Sequence, residues 1–491
     1  MAAPLSPASL VAKPITFGTD GWRGVIAADF TFERVMQVAP LAAHALAQHY
    51  DSPSRTVIVG YDRRFLSEEF AQAAATAISA AGFEVLLSES YAPTPAFSWA
   101  AKQQNALGAV VITASHNPGI YSGLKVKGGF GGSVPPEVTQ TIEALLQSPP
   151  PAASQPGPIQ SFDPWQSYCE VLRSRVDIAA IQAAIASGQL QVFVDVMHGA
   201  AATGLARLLG DQLGAGLTEL NSSRDPLFEG GAPEPLPRYL PKLLDTIRQY
   251  GSGESGRAKL VTGLVFDGDS DRIAAVDGQG NFLSSQVLIP ILIQHLAVNR
   301  GYRGEVIKTI SGSNLIPKVA ELYGLPLYQT PIGYKYIADR MLEAQVLLGG
   351  EESGGIGYGH HIPERDALLS ALYVLEAVVK SGQDLSQLYA NLQQQTQYHS
   401  TYDRIDLPLA SMDVRARLLD QLQTQPPTEI ASQPVTSCLD IDGYKFQLAD
   451  QSWLLIRFSG TEPVLRLYSE ALTAERVQQN LAWAKDWADK I

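Results

Sequence analysis

The chain alternates short apolar runs with longer segments whose apolar residues recur at helical spacing. Runs at 55–60, 84–87 and 109–112 are rich in β-branched residues and are bounded by turn residues, which predicts buried strands. Segments between them, such as 35–48 and 68–81, are predicted helices. Strands that alternate with helices form βαβ units around a mainly parallel sheet. The pattern therefore predicts an α/β protein.

The alternation continues through three blocks and then changes character. A Pro-rich run at 149–158 separates the first block from the second, and the third opens near Ile273. The last region has three closely spaced strands and a closing helix at 475–490. We therefore predict three successive α/β domains with mixed or parallel sheets and a smaller C-terminal α+β domain. Their predicted bounds are 1–155, 156–272, 273–395 and 396–491.

Composition is that of a globular protein of several domains, with 491 residues, 45% hydrophobic and 17% charged. No apolar run reaches the ~18 residues needed to span a bilayer, and the start of the chain does not resemble a signal peptide. Two cysteines, Cys169 and Cys438, are too few for a disulfide framework, so we expect a cytoplasmic location. A net charge of −13 disfavours nonspecific nucleic-acid binding but permits a local Arg and Lys cluster that binds phosphate.

A candidate phosphoryl carrier follows the strand at 109–112. Ser115 lies where that strand ends, before His116 and an Asn-Pro turn. Functional residues gather at the carboxyl ends of parallel strands. A hydroxyl beside an imidazole, with Lys125 ten residues later, suits a serine that carries a phosphoryl group. From these residues alone, a polar loop that caps a helix is an equally good interpretation.

The run DGDSDR is the strongest local signal for a metal. If the segment is extended, its alternation places Asp267, Asp269 and Asp271 on one side, where three like charges are costly unless a cation joins them. Carboxylate oxygens select Mg²⁺ or a similar ion. The run is not an EF-hand loop, because Gly278 stands where the twelfth-position glutamate is required. A solvated acidic turn is the alternative.

Two further loops carry groups suited to a phosphorylated sugar. RFSGTEP, at 457–463, offers hydroxyls, glycine-exposed amides and an arginine, which suits a phosphate nest, although an ordinary β-turn has the same composition. GGEESGG, at 349–355, places Glu351 and Ser353 between glycines, which suits recognition of sugar hydroxyls. His360 and His361 are either proton shuttles or plain loop residues.

A serine that carries a phosphoryl group, an acidic metal loop, a loop that binds sugar hydroxyls and a phosphate nest are together what phosphoryl transfer on a phosphosugar needs. The order of these motifs resembles that of a known family. FGTDGWRG, TASHNP, DGDSDR, GEESGG and RFSGTEPVLRLYSE are similar to motifs of the α-D-phosphohexomutases, the phosphoglucomutases and phosphomannomutases. The resemblance implies four domains around a central cleft. It also implies that Ser115 is a phosphoserine and that its phosphate, with Asp267, Asp269 and Asp271, holds Mg²⁺.

The same resemblance implies the remaining site residues. Arg23, His116 and Lys125 would line the reacting centre with Ser115. The substrate-binding set implied in this way comprises Glu351, Ser353, Gly333, Lys335, His361, Arg365, Arg457, Ser459, Gly460, Thr461 and Arg466.

Two positions depart from the family pattern. Gly355 stands where many phosphomannomutases have the histidine of GEMSGH, which leaves His361 as a candidate for its proton-transfer role. Arg365 stands where the usual residue is lysine. Arginine holds a phosphate but is a poor general acid, because it does not readily give up a proton.

The expected reaction is the interconversion of glucose 1-phosphate and glucose 6-phosphate through a phosphoserine. Glucose 1,6-bisphosphate would be the intermediate and the activator. One alternative is a glucose 1,6-bisphosphate synthase, recharged by another sugar bisphosphate such as fructose 1,6-bisphosphate. Others are a phosphomannomutase and a non-catalytic sugar-phosphate binding protein. The expected partners are hexose phosphates, without nucleic acid or membrane, for a monomer or homodimer.

Overall fold

The protein was analysed as a computed structural model that describes residues 12–18, 20–252, 258–459 and 463–490. Within these ranges the strands form four sheets, of seven, five, four and six strands. The first three sheets contain parallel pairs and pack against helices, and the fourth is antiparallel. The predicted fold class, three α/β units followed by a smaller α+β unit, is confirmed.

The first sheet carries the serine loop at the end of one of its central strands. Its elements are β1 (Phe17–Gly18), β2 (Gly21–Val25), α1 (Phe32–His49), β3 (Thr56–Tyr61), α2 (Ser67–Ala80), β4 (Glu84–Ser88), α3 (Thr94–Gln103), β5 (Gly108–Ile112), β6 (Tyr121–Gly128), α4 (Pro136–Gln147) and β7 (Ile159–Phe162). The strand order is β1-β2-β6-β5-β3-β4-β7. Strand β7 extends this sheet past residue 155, and the exact domain bounds stay a prediction.

The second sheet carries the acidic run at 267–272, and the third sheet carries the sugar loop, at 349–355. The second group comprises α5 (Gln166–Arg175), α6 (Ile178–Ala186), β8 (Leu190–Asp195), α7 (Gly204–Leu209), β9 (Leu217–Leu220), α8 (Pro241–Ser252), β10 (Leu260–Phe266), β11 (Ile273–Val276) and β12 (Phe282–Leu283). The third comprises α9 (Ser285–Gln294), β13 (Glu305–Thr309), α10 (Leu315–Leu322), β14 (Leu327–Thr330), α11 (Tyr334–Glu343), β15 (Val346–Gly350), β16 (Ile356–Tyr358), α12 (Ala367–Ser381) and α13 (Leu385–Thr396). Their orders are β12-β11-β10-β8-β9 and β14-β13-β15-β16.

The fourth sheet is a meander backed by helices. Its elements are β17 (Thr401–Pro408), α14 (Met412–Thr424), β18 (Glu429–Ile430), β19 (Gln433–Leu439), β20 (Tyr444–Leu448), β21 (Trp453–Phe458), β22 (Val464–Ala471) and α15 (Ala474–Ala488). Strands β17 and β19 were not predicted, because their side chains are largely polar and exposed. The short strand β18 was not predicted either, because it lies within a Pro-rich segment.

The apolar core shows which sheets pack as one body. One buried cluster runs from Ile58 in β3 through Leu264 in β10 to Leu292 in α9, and includes most of helix α12, which is buried from its first residue to Val378. The fourth sheet has a separate cluster around Leu454 and Leu481. Shared burial therefore ties the first three sheets together, while the fourth packs on them through a smaller contact.

Among the described helices, none combines the length and the apolar character needed to cross a membrane.

Candidate active site

Ser115 is held in a strained turn directly after β5. Its φ of 51° lies in the left-handed region, and its N–H donates to Thr113 Oγ1 over 2.9 Å. A left-handed residue other than glycine costs free energy and persists only where the surroundings hold it. The turn directs Ser115 Oγ at the second sheet, where it donates to Asp267 Oδ2 over 2.9 Å. Ser115 is 1% exposed.

Arg64, which follows β3, holds the backbone of this turn. Its guanidinium donates to the carbonyl oxygens of Ser115 and Asn117, each over 2.6 Å, and to those of Pro118 and Tyr121 over 3.1 Å. Asp62 lies 3.2 Å from Arg64 Nε and balances the buried charge. The sequence analysis did not single out Arg64, because a guanidinium that binds main-chain carbonyls leaves no pattern in the residues it contacts.

We expect Arg64→Met to destabilise the protein and the serine turn together. Removing one member of a buried ion pair costs about 3–5 kcal/mol, because its partner keeps an uncompensated charge. The melting temperature should fall by several degrees, and turnover should fall at least about tenfold since the turn loses four donors. Arg55→Met, at an exposed arginine beside the same sheet, is the matched control. A variant at position 64 with wild-type melting and turnover would contradict this role.

The acidic run does not form the extended segment considered from the alternation of its aspartates. Residues 267–270 form a turn in which Ser270 N donates to Asp267 O and Ser270 has a φ of 59°. The three carboxylates converge all the same, and oxygens of Asp267, Asp269 and Asp271 lie within 4.8 Å of one another. Convergence comes from the turn rather than from strand alternation.

These carboxylates fit a magnesium ion. All three residues are fully buried, and Asp269 Oδ1 and Asp271 Oδ1 have no hydrogen-bond partner among the described residues. Burial and then the charges of Asp271 and Asp269 raise the pKa of Asp267 well above its ordinary value. A hard divalent cation would bind the two unpartnered oxygens and offset the repulsion among the three carboxylates.

The close approach of the acidic turn to the serine turn depends on Gly268. A Cβ at this position would lie 2.4 Å from Ser115 O. Gly268 N donates to Pro233 O, and Ala200 N donates to Gly268 O. The loop around Pro233, for which the sequence suggested no role, therefore supports the backbone of the acidic turn.

Lys125 and Arg365 place two cations beside the acidic turn. Lys125 Nζ lies 2.7 Å from Asp269 and 3.0 Å from Asp271, and Arg365 Nη2 lies 2.7 Å from Asp271. Burial opposes the charge on Lys125, but the carboxylates of Asp20, Asp269 and Asp271 outweigh it and raise the pKa of Lys125. Both groups therefore stay cationic and can offset charge on a phosphoryl group.

His116 and Arg23 lie at the rim of the serine turn. His116 Nδ1 is 3.4 Å from Ser115 Oγ, and Arg23 donates to Asn117 Oδ1 over 2.5 Å. Burial, together with the nearby Arg272 and Arg23 charges, lowers the pKa of His116 well below its ordinary value. The charged form of the His116 imidazole is therefore disfavoured in this environment. Arg23 lies on β2, which pairs antiparallel with β1.

The departures at positions 355 and 365 are one structural feature. A Cβ on Gly355 would lie 2.4 Å from Arg365 Cδ, so the arginine stem fills the space that a side chain at 355 would need. The Arg365 guanidinium also lies over the Tyr334 ring, 5.3 Å from its centroid. A glycine at 355 is therefore what allows an arginine to reach the acidic turn.

Glu351 joins the sugar loop to this centre. Its Oε1 accepts from Gly333 N over 3.1 Å, and its Oε2 lies 4.0 Å from Arg365 Nη1. Burial raises the pKa of Glu351 to about 7, although Arg365 acts to lower it. Ser353 lies half-buried on the same turn, and the adjacent Glu352 is bound by Arg404 and Ser311 instead.

We expect the raised pKa of Glu351 to make stability depend on pH. A carboxyl whose folded pKa lies above its unfolded value of 4.5 destabilises the fold as pH rises from about 4.5 to about 7. Relative to Glu351→Gln, the wild type should lose up to ~3 kcal/mol between about pH 5 and about pH 8. Melting temperatures of the two proteins at both pH values measure this. A difference that does not change with pH would contradict it.

Arg457 and Arg466 face each other on neighbouring strands at the far end of the site. They are direct partners in the pairing of β21 with β22, and like charges in this arrangement destabilise a sheet unless an anion joins them. Arg466 Nε is buried without a partner among the described residues, and Arg457 Nε donates to Asp442 over 3.0 Å. Asp442 also accepts from Ile332 N, beside Gly333, which connects this pair to the sugar loop.

The rest of the predicted phosphate loop is only partly described. Ser459 is buried, donates from its N–H to Val464 O, and accepts from Arg415. Gly460 and Thr461 lie outside the described residues.

His361 and Lys335 are not drawn into the centre by their contacts. The His361 ring faces Asp366 at 3.1 Å and stacks on Trp99, which are structural contacts. Lys335 lies on the first turn of α11, over the Tyr336 ring. The proton-transfer role of His361 therefore has no contact in its favour and stays a prediction, as does the sugar role of Lys335.

Comparison with known proteins finds matches along nearly the whole chain. Four family models match, each described as phosphoglucomutase/phosphomannomutase. They are alpha/beta/alpha domain I over 14–151, domain II over 166–280, domain III over 284–396 and the C-terminal domain over 414–482.

Relatives and a solved structure match over nearly the same length. A phosphoglucomutase/phosphomannomutase of Thermococcus kodakarensis is 28% identical, covering 95% of this chain and 96% of its own. A probable phosphoglucosamine mutase of Methanothermobacter thermautotrophicus is 30% identical, with the same coverage. The crystal structure of a putative phosphomannomutase from Thermus thermophilus is 31% identical with a TM-score of 0.83, covering 98% of this chain and 100% of its own.

Proposed function

We propose that this chain, which belongs to the phosphoglucomutase/phosphomannomutase family of α-D-phosphohexomutases, is a phosphoglucomutase. Its reaction is then the interconversion of glucose 1-phosphate and glucose 6-phosphate. Family membership makes it an intramolecular phosphotransferase rather than a non-catalytic binding protein. The observation that carries the proposal is the position of Ser115 Oγ, 2.9 Å from Asp267 in the acidic turn whose other carboxylates bind the buried cations Lys125 and Arg365.

Ser115 carries the phosphoryl group in this proposal. A hydroxyl oxygen of the sugar attacks the phosphorus on Ser115, and the P–O bond to the serine breaks. The serine oxygen leaves with its electron pair and takes up the proton that the sugar hydroxyl gives up. Asp267, Asp269 and Asp271 would hold Mg²⁺, which when bound polarises the phosphoryl oxygens. Lys125 and Arg365 offset the charge that develops on those oxygens.

The substrate is oriented by the two distant loops. Arg457, Arg466 and Ser459 bind the phosphate that is not reacting, while Glu351 and Ser353 bind sugar hydroxyls. After the first transfer the glucose 1,6-bisphosphate turns round, and its other phosphate returns to Ser115. A site that binds the phosphate group, and not one particular face of the sugar, accepts the bisphosphate in both orientations.

A second candidate function is the synthesis of glucose 1,6-bisphosphate. Arg365 bears on both functions, because a guanidinium fixed by carboxylates holds phosphate but is a poor general acid, so the proton for a departing sugar oxygen must come from another group in either reaction. The bisphosphate would then leave, and another sugar bisphosphate such as fructose 1,6-bisphosphate would recharge Ser115. A monomer or homodimer in the cytoplasm stays the expectation for either function.

One ³¹P NMR experiment separates these functions. Phosphorylated enzyme is incubated with glucose 1-phosphate, mannose 1-phosphate or glucosamine 1-phosphate, and the products are followed in time. The proposal predicts rapid formation of glucose 6-phosphate, with bisphosphate never exceeding the enzyme concentration. Bisphosphate that accumulates far above enzyme favours the synthase, and preferred turnover of the mannose or glucosamine substrate contradicts the glucose assignment.

A further inference from the structure

Asp20 is a carboxylate beside the reacting centre for which the family resemblance suggested no role. It lies in the hairpin between β1 and β2, and its side chain is only 18% exposed. Asp20 Oδ2 lies 2.7 Å from Lys125 Nζ and 2.7 Å from Arg365 Nη2, so a single oxygen atom binds both cations. The two partners come from distant parts of the chain, one on β6 and the other before α12.

The four groups form a closed square of alternating charge. Lys125 Nζ and Arg365 Nη2 also share Asp271 Oδ2, at 3.0 Å and 2.7 Å. The two cations are therefore held between Asp20 on one side and Asp271 on the other. Two buried cations this close repel each other, and carboxylates between them offset the repulsion.

The two carboxylates of the square differ in what else they can bind. Asp271 belongs to the group of acidic residues that fits a metal, whereas among the described residues Asp20 lies outside that group. A metal bound at the unpartnered Asp271 Oδ1 would share the single charge of that carboxylate, and so weaken the attraction of its Oδ2 for the two cations. Asp20 would then be the carboxylate that keeps Lys125 and Arg365 together.

The surroundings of Asp20 indicate that holding these two cations is its main task. Lys127 also approaches Asp20, at 3.3 Å, but it has its own buried partner in Glu364 at 2.5 Å. Lys127 therefore does not depend on Asp20. The stem of Arg365 packs against Gly355, in the space that a side chain at that position would need.

We propose that Asp20 is a positioning residue of the phosphoryl-transfer centre, which holds Lys125 and Arg365 as a pair when Asp271 is engaged by a metal. The proposal rests on the phosphohexomutase function proposed above. Asp20 itself takes no part in the chemistry, because its oxygens are occupied by the cations that it positions.

The test is Asp20→Asn, which keeps the shape and removes the charge. The kcat should fall about ten- to a hundredfold while the KM for glucose 1-phosphate changes less than about threefold, because the loops that bind the rest of the substrate are untouched. Asp20→Glu should recover part of the kcat. Asp450→Asn, which breaks a pair with Arg476 in the fourth sheet, is the control and should leave both constants unchanged.

A double-mutant cycle shows whether Asp20 acts through Arg365. Asp20→Asn and Arg365→Lys should be strongly non-additive, since each breaks the same unit, whereas Asp20→Asn and Arg457→Lys should multiply independently. A kcat within about twofold of wild type, or independent effects of Asp20→Asn and Arg365→Lys, would overturn the proposal.

A metal titration tests the positioning role of Asp20 independently of which reaction the enzyme catalyses. Without Asp20 the cations compete harder for Asp271, so the Kd for Mg²⁺, measured by calorimetry without substrate, should rise about three- to tenfold. Wild-type enzyme that binds Mg²⁺ but turns over no hexose phosphate would refute the function and leave this readout intact. An unchanged Kd in Asp20→Asn would refute the role of Asp20 alone.

Discussion

Ser115→Ala should abolish phosphoryl transfer, with kcat at least ~10³-fold lower, because the variant lacks the hydroxyl that donates to Asp267. The Thr94 hydroxyl also contacts the acidic turn, but it is bound to Asp269 and does not take the place of Ser115. The fold should be retained, since the loss of one hydroxyl removes a single hydrogen bond worth about 1 kcal/mol. Turnover of glucose 1-phosphate and the melting temperature measure both parts of this prediction.

Ser122→Ala is the matched control for that loss. Ser122 lies fully buried on the neighbouring strand β6, and its hydroxyl has no partner among the described residues. Its removal should leave turnover unchanged. Equal activity in wild type and Ser115→Ala would show that the phosphoryl group is carried elsewhere, and equal losses in both variants would show a packing effect rather than a chemical one.

Asp267→Asn should separate the metal's role from the fold. Asparagine keeps the shape of the side chain but removes one of three converging charges, so without metal the variant should melt at or above the wild-type temperature. With Mg²⁺ the wild type should gain stability and the variant should not, because a ligand that binds only the folded state stabilises it. Turnover should fall about 10²–10³-fold.

Asp277→Asn provides the comparison for this second prediction. Asp277 is also fully buried in the second sheet, but it binds Gln279, Asn281 and Ser386 and lies outside the acidic turn. Its variant should lose stability and keep the full response to Mg²⁺. Stabilisation of Asp267→Asn by Mg²⁺ to the same extent as the wild type would contradict the assignment of Asp267 as a ligand.

Local pattern predicted much of the fold and the strongest parts of the site. The run at 109–112 and the polar residues after it placed Ser115 at the end of β5, and three aspartates within five residues indicated a cation whether or not the segment was extended. Such features depend only on residues that are close together in the sequence, so they can be recognised from the sequence alone.

The parts that the sequence did not predict depend on contacts between distant residues. Strand β6 was missed because Lys125 and Lys127 resemble exposed positions, yet they are buried through pairs with Asp20 and Glu364. The role of Asp20 depends on Arg365, which is separated from it by 345 positions. Only the packing of three sheets on one core brings these groups together.

The most direct measurement is the location of a phosphoryl group in the enzyme itself. Protein treated with glucose 1,6-bisphosphate and Mg²⁺ is digested, and its phosphopeptides are identified by mass spectrometry before and after addition of glucose 6-phosphate. We predict one phosphate on Ser115 that disappears when the sugar phosphate is added. Phosphate at another residue, or phosphate on Ser115 that no hexose phosphate removes, would contradict the mechanism.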